Sequence, residues 1–245
     1  AVVGGVDAAG YRAAGYLVLD AGQLSAFGSE SLLLGGTRKQ TVSGLEVDAV
    51  ASNVVIATDG SAATALVAPE ILLASEQIID IASGSIVEAR GTIGGGSGNI
   101  LIKPVIAAVI DTKGTTDTSD DVVTTPAVDY GAFVRVSNGE SLKAVRTGAV
   151  NTQGTLSIGA ATLRGKTIIL DATRTTTVAA NADLRATVLD VSSGRISIGS
   201  PTGTPDGLVL SGSSLEALAA ASSLTLRSYS SIDFYGNATI GTRGA

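Results

Sequence analysis

The chain of 245 residues has no cysteine, histidine, methionine or tryptophan. Without cysteine it forms no disulfide and offers no thiolate to a metal. Without histidine, Ser-His-Asp and Cys-His catalytic arrangements and His-ligated metals are excluded. Aromatic residues make up only 3%, although 44% of the chain is hydrophobic. An ordinary globular core of this length uses more rings as filler, so the core here is aliphatic and narrow. The longest apolar run, Val105 to Ile110, is far short of the roughly 18 residues that span a bilayer, so no membrane insertion is expected. The N-terminus shows no basic and apolar signal-peptide pattern. Basic residues are also few, 16 against 22 acidic, for a net charge of −6. They are dispersed, with Arg38-Lys39 the only adjacent pair, which argues against a nucleic-acid partner. Position 1 is not methionine, and no amphipathic capping helix is visible at either end. Solenoids need capped ends, so the expectation is an internal segment of a longer rod.

What is present is a repeat. Leu170, Leu189 and Leu208 fall nineteen residues apart, and Leu226 arrives one residue early. A second series runs through Ile158, Val178 (one residue out of phase), Ile196, Leu215 and Phe234. Around these positions Thr155-Leu156-Ser157-Ile158, Arg195-Ile196-Ser197-Ile198, Ser223-Leu224-Thr225-Leu226 and Ser231-Ile232-Asp233-Phe234 alternate polar and apolar residues. Alternation at period two places one side of a strand in a core and the other in water. A unit of about nineteen residues is too short for a crossover helix plus a strand, which takes roughly thirty. The spacing therefore predicts an all-β chain, a parallel β-helix (β-solenoid) whose coils stack on their neighbours. It predicts ten to thirteen coils and an inward row of Ile158, Leu170, Leu189, Ile196, Leu208, Leu215, Leu224, Leu226, Ile232 and Phe234.

The chain divides into three along one elongated domain. Residues 1–102 carry irregularly spaced strands, residues 131–245 the regular array, and residues 103–130 a polar loop or side excursion. That excursion holds Asp117, Asp120 and Asp121, the best place to look for calcium, but it lacks the glycine-punctuated calcium repeat, which favours a solvated loop. Gly94-Gly95-Gly96-Ser97-Gly98 is followed by no Lys-Ser/Thr and no helix, so it reads as a turn rather than a phosphate loop. Asp171 and Asp190 are the one acid pair that recurs with the repeat, which points to side chains bonding backbone at corners. The residues therefore nominate no catalytic, cofactor-binding or metal site and no cofactor. An enzyme is not expected.

Gly131-Ala132-Phe133-Val134-Arg135-Val136-Ser137-Asn138-Gly139, Leu163 to Ala172 and Leu224 to Gly236 resemble filamentous haemagglutinin-type large exoproteins. The resemblance is clearest over residues 131–245. It implies a right-handed parallel β-helix in a long bacterial surface protein, secreted through an outer-membrane transporter of the two-partner type and serving adhesion or biofilm formation. Host or biofilm glycans would then be partners, and further coils of the same chain or neighbouring subunits would cover both ends. The family's Asn-Pro-rich secretion domain has no counterpart in these residues. Two other readings stand beside the structural rod. A carbohydrate-active β-helix, a lyase or hydrolase, would need a groove lined by acids and Arg or Lys. An ice- or surface-binding solenoid, prompted by Thr175-Thr176-Thr177, would need a flat threonine array.

Overall fold

The computed structural model describes residues 2–4, 8–94, 98–106, 109–125, 127–219 and 221–236. The protein is mostly β, with 52% of its residues in strands and 8% in helices. Among the described residues the strands fall into six separate sheets. Among the described residues no helix is long and apolar enough to cross a membrane.

Three of these sheets contribute residues to the main core. The first has six parallel strands in the order Val18–Leu19, Val2–Gly4, Asn53–Ala57, Ile78–Ile81, Thr155–Ile158 and Thr175–Val178. The second has four, also parallel: Leu66–Ala68, Ile86–Ala89, Thr162–Arg164 and Asp183–Arg185. The third has seven: Ser31–Leu34, Glu70–Ser75, Ala132–Ser137, Thr167–Ala172 and Val188–Gly199, the last flanked by both Leu208–Leu210 and Ser223–Tyr235. From Asn53 onward the chain visits the first, second and third sheets in that order. It then returns to the first sheet one strand further along.

Burial explains the local sequence of each sheet. Thr155–Ile158 and Ile86–Ala89 alternate because one face meets the core and the other meets water, whereas Val2–Gly4 and Asn53–Ala57 are buried on both faces, with Val2, Val55 and Ala57 packed in a separate cluster. Glu70–Ser75, Ala132–Ser137 and Thr167–Ala172 are buried at every position. They therefore read as near-continuous apolar runs such as Ile71-Leu72-Leu73. Ile71, Leu73, Val134, Val136, Ile168, Leu170, Leu189 and Val191 join the main core. Leu72, Ala74, Phe133 and Ile169 face the opposite way into a second cluster with Val47, Ile100, Ile102 and Ala144.

That second cluster exists because part of the chain forms an outer layer. Gly36–Thr41 and Gly44–Ala49 make an antiparallel hairpin, extended in parallel by Asn99–Ile102 and Ala144–Arg146. After Ala89 the chain leaves the three-sheet order to run through this layer. It passes an antiparallel hairpin of Val109–Asp111 and Val122–Thr125, whose residues are all exposed, and the short strand Val128–Asp129, paired with Ala149–Val150. It enters the third sheet from the opposite end, so Ala132–Ser137 lies antiparallel to both neighbours. Gly131 and Gly154 permit the close corner that follows: a Cβ on Gly154 would stand 1.9 Å from the Gly131 carbonyl oxygen. Thr173 Oγ1 accepts from both glycine N–H groups, at 3.1 and 2.9 Å, and ties the corner.

Several expectations need correction. Leu170 and Leu189 are both buried, yet they are not ladder neighbours: Leu170 lies beside Val191 and Ile168 beside Leu189. The register offset is twenty-one there and in the second sheet, and twenty in the first. Because side chains alternate at period two, offsets of nineteen and twenty-one put the same residues inside, and composition alone does not separate them. Leu215 stands in a helix, Gly212–Ala219, and Ile232 and Phe234 are 41% and 64% exposed. Those two lie on Ser223–Tyr235, which pairs with Val188–Gly199 and with no other described strand. The first sheet stacks six strands rather than ten to thirteen, a rise of about 24 Å at ~4.8 Å per step. The remaining chain builds the outer layer and connections.

The end-capping expectation also fails. Ala21–Ala26 packs on Leu66–Ala68 and Gly212–Ala219 packs on Asp183–Arg185, the two edge strands of the second sheet. The first helix starts on Asp20, whose Oδ1 accepts from Gln23 N at 2.8 Å. Ala21 and Leu24 from one helix, and Leu215 and Leu218 from the other, join the main core. Helices of six and eight residues are too short to show the apolar periodicity by which a cap is recognised.

The fold separates two leucine-like positions that the repeat treats alike. Leu170→Ala should lower stability by about 2–5 kcal/mol, since it empties a fully buried site. Phe234→Ala should stay within about 0.5 kcal/mol. Urea unfolding of the two variants measures this, and equal losses would contradict the burial described.

Candidate functional site

Charged side chains cluster where the outer layer meets the third sheet. Arg146, at the end of Ala144–Arg146, points into that junction and is 2% exposed. Its Nη1 donates to Asp129 Oδ1 at 2.7 Å, and its Nε and Nη2 donate to Asp171 Oδ1 at 2.9 and 2.5 Å. Nη2 also reaches the Gly131 carbonyl at 3.1 Å. Asp171 Oδ2 accepts from the Tyr229 hydroxyl, and the Tyr229 ring centroid lies 5.9 Å from the guanidinium carbon. Two residues earlier on that strand, Arg227 Nη1 donates to the Ala144 carbonyl at 2.7 Å. Four strands therefore meet at one guanidinium: Val128–Asp129, Ala144–Arg146, Thr167–Ala172 and Ser223–Tyr235.

The electrostatics follow from two carboxylates sharing one cation in a dry place. Burial pushes the Asp129 carboxyl up from 3.8 to about 6; Arg146 opposes this and the nearby Asp171 charge adds to it. Asp129 Oδ2 is buried and, among the described residues, meets no hydrogen-bond donor. Burial also raises the Tyr229 hydroxyl well above its usual range, with the Asp171 charge acting in the same direction. The Arg146 guanidinium is held more firmly protonated, because the two aspartates outweigh its own desolvation. Both aspartates are fully buried, so a substrate has no approach to them. The cluster joins layers.

A second guanidinium, Arg135, lies on the same outer face and is also 2% exposed. Its Nε donates to Glu70 Oε1 at 2.7 Å, and its Nη1 donates to the Glu140 carbonyl and Thr167 Oγ1, both at 2.9 Å. Glu70 Oε2 accepts from Ser31 Oγ at 2.6 Å, and Ser31 Oγ in turn accepts from Arg38. Above this group opens a cavity of about 310 Å³, lined by Arg38, Gln40, Glu70 and Arg135 and walled by Leu45 and Leu142.

The sequence-derived candidates fare differently. Asp171 is not a corner residue bonding backbone; it is a strand residue held by Arg146 and Tyr229. Asp190 stands beside Ile169, two positions from Asp171 along the ladder, on the same largely buried face. Asp117 and Asp120 cap their own exposed turn, accepting from Ser119 N at 2.9 Å and Thr115 Oγ1 at 3.1 Å. Among the described residues no three carboxylates converge on a metal position. Gly95 to Ser97 of the glycine run lie outside the described residues, while Gly94 lines the cavity. Thr176 is buried, donating to the Ser192 carbonyl at 2.8 Å, so the threonine run does not present one flat face. Sequence reading missed Arg135 and Arg146; their signal was an arginine inside an otherwise apolar strand, as in Phe133-Val134-Arg135-Val136. No family model, curated protein or solved structure matches the chain.

The Asp129 shift has a definite sign. An acid with a raised folded-state pKa contributes stability below its unfolded pKa and loses that contribution as pH rises to the folded value. Between about pH 4 and pH 6 this carboxyl should therefore destabilise the fold progressively, on the order of 3 kcal/mol in total. Asp129→Asn should remove that slope, so the variant gains relative to the parent across this window. Chemical denaturation of both at stepped pH checks it, and parallel curves would remove the excess-charge account.

Proposed function

We propose that the chain is a structural segment of a β-helical shaft, right-handed and parallel, from a secreted bacterial surface adhesin or extracellular filament. The observation that carries this reading is the repeated visiting order of the three sheets with near-constant register. Thr155 pairs with Thr175, Thr162 with Asp183 and Thr167 with Val188. Each circuit of about twenty residues buries little by itself and is completed by its neighbours, as in solenoids. The adhesin context and two-partner export rest on the likeness of residues 131–245 to filamentous haemagglutinin-type exoproteins. Adhesion or biofilm formation would then belong to the parent molecule, with this segment holding other parts at a distance.

The carbohydrate-active alternative needs two carboxylates facing one substrate. Asp171 is enclosed, and both oxygens of Glu70 are already engaged by Arg135 and Ser31. The charge pattern therefore favours a scaffold over a hydrolase.

A shaft accepts a further layer at an open strand, and Ser223–Tyr235 supplies one with Ile232 and Phe234 exposed. In sedimentation velocity the purified chain should self-associate with rising concentration. Ile232→Lys combined with Phe234→Lys should return it to monomer with an unchanged circular-dichroism spectrum. A parent chain that stays monomeric, or one that releases sugars from a polysaccharide panel, would overturn the shaft reading.

A further inference from the structure

The cavity over Arg135 has the makings of a binding site rather than a packing defect. Its floor is a charged group fixed from beneath: Glu70 is held by Arg135 Nε on one oxygen and by Ser31 Oγ on the other. Arg135 is fixed further by Thr167 Oγ1 and the Glu140 carbonyl, and its Nη2 makes none of these bonds. Such a guanidinium is oriented before any ligand arrives, which lowers the ordering cost of binding. Arg38, on the hairpin strand Gly36–Thr41, lines the same cavity and among the described residues donates only to Ser31. Among the described residues no carboxylate lies within ion-pair distance of Arg38. The Glu140 carboxylate turns instead to Lys166, at 3.6 Å, and is 68% exposed.

Charge and shape then select a ligand class. Glu140 lines the cavity too, but its carboxylate is paired with Lys166, so the two guanidiniums against the Glu70 carboxylate leave one positive charge. The planar donor fork of arginine matches a carboxylate edge. Leu45 and Leu142 supply apolar wall, and about 310 Å³ sits at the small end of the ~300–1,000 Å³ typical of small-molecule sites. We infer that this cavity binds a small organic monocarboxylate, its carboxylate between Arg38 and Arg135 and its apolar body against Leu45 and Leu142. This goes beyond the shaft reading and does not depend on it, because Arg38, Arg135, Leu45 and Leu142 all belong to this chain. Phosphate, which has no apolar body, fits the Leu45 and Leu142 walls less well.

The test titrates the isotope-labelled chain with benzoate, hexanoate and inorganic phosphate, following the arginine Nε–H and backbone amide signals by NMR. Benzoate and hexanoate should give saturable shifts at Gly139 and at the Arg38 and Arg135 side chains, with dissociation constants near or below about 1 mM. Arg38→Ala, an exposed change, should weaken both by about tenfold or more. Leu142→Trp should fill the cavity and abolish the shifts. Both variants should keep the parent's melting temperature within a few degrees. Absence of saturable shifts, tighter binding of phosphate than of either carboxylate, or shifts that survive Leu142→Trp in a folded variant would each overturn the inference. Self-association through Ser223–Tyr235 is read separately, so this site and the shaft proposal fail independently.

Discussion

A guanidinium with almost no contact with water holds the layers of this protein together. Arg146 reaches from the outer sheet to Asp171 of the third sheet and to Asp129 of a short flanking strand, while Tyr229 closes over it. Burying an ion pair is costly, and a hydrophobic replacement of equal shape often does as well or better. Removing one partner is different, because it strands the other charge in a dry place. The chain therefore depends on the completeness of the cluster more than on its net strength. The two-aspartate arrangement also explains why the excess charge falls on Asp129, which has Arg146 Nη1 on one oxygen and, among the described residues, no donor on the other.

The outer layer that this cluster joins to the third sheet accounts for the departure from a simple stacked repeat. A strand exposed on its outer face alternates, as Thr155–Ile158 does. The third sheet does not, because the hairpin Gly36–Thr41 and Gly44–Ala49 and the strands Asn99–Ile102 and Ala144–Arg146 cover it. Covering it requires the chain to leave the circuit after Ala89 and come back reversed, hence the antiparallel strand Ala132–Ser137. Arg135 and Arg146 sit where this added layer meets the sheet, and the cavity lies beside the first of them.

The all-β character, strands such as Thr155–Ile158 and the inward-facing Leu170, Leu189 and Leu208 were legible in the sequence, because period-two alternation and a leucine series are local signals. Leu156, Ile158, Leu163 and Leu184 are buried as alternation requires. Register was not legible: a shift of two residues leaves every inward side chain inward, so a nineteen-residue echo stood in for a true offset of twenty-one. Phe234 looked like core because alternation says which residues share a face, not whether anything covers that face. The caps were hidden by brevity, and the reversed strand by the lack of any local mark of direction in Phe133-Val134-Arg135-Val136. The cavity was beyond reach, since Arg38, Glu70 and Arg135 come from three strands far apart in sequence.

After its long excursion the chain resumes the same ladder, with Ser157 placed directly beside Asp80. A chain without cysteine allows a clean test, because two introduced thiols have no competitors. Asp80 and Ser157 are both partly exposed on the outer side of the first sheet, and paired parallel positions fall within the Cα separation that a disulfide spans. Asp80→Cys combined with Ser157→Cys should form an intramolecular disulfide under mild oxidation, read by mass spectrometry after proteolysis. Two free thiols persisting in the folded, oxidised variant would contradict the ladder and the layered account built on it.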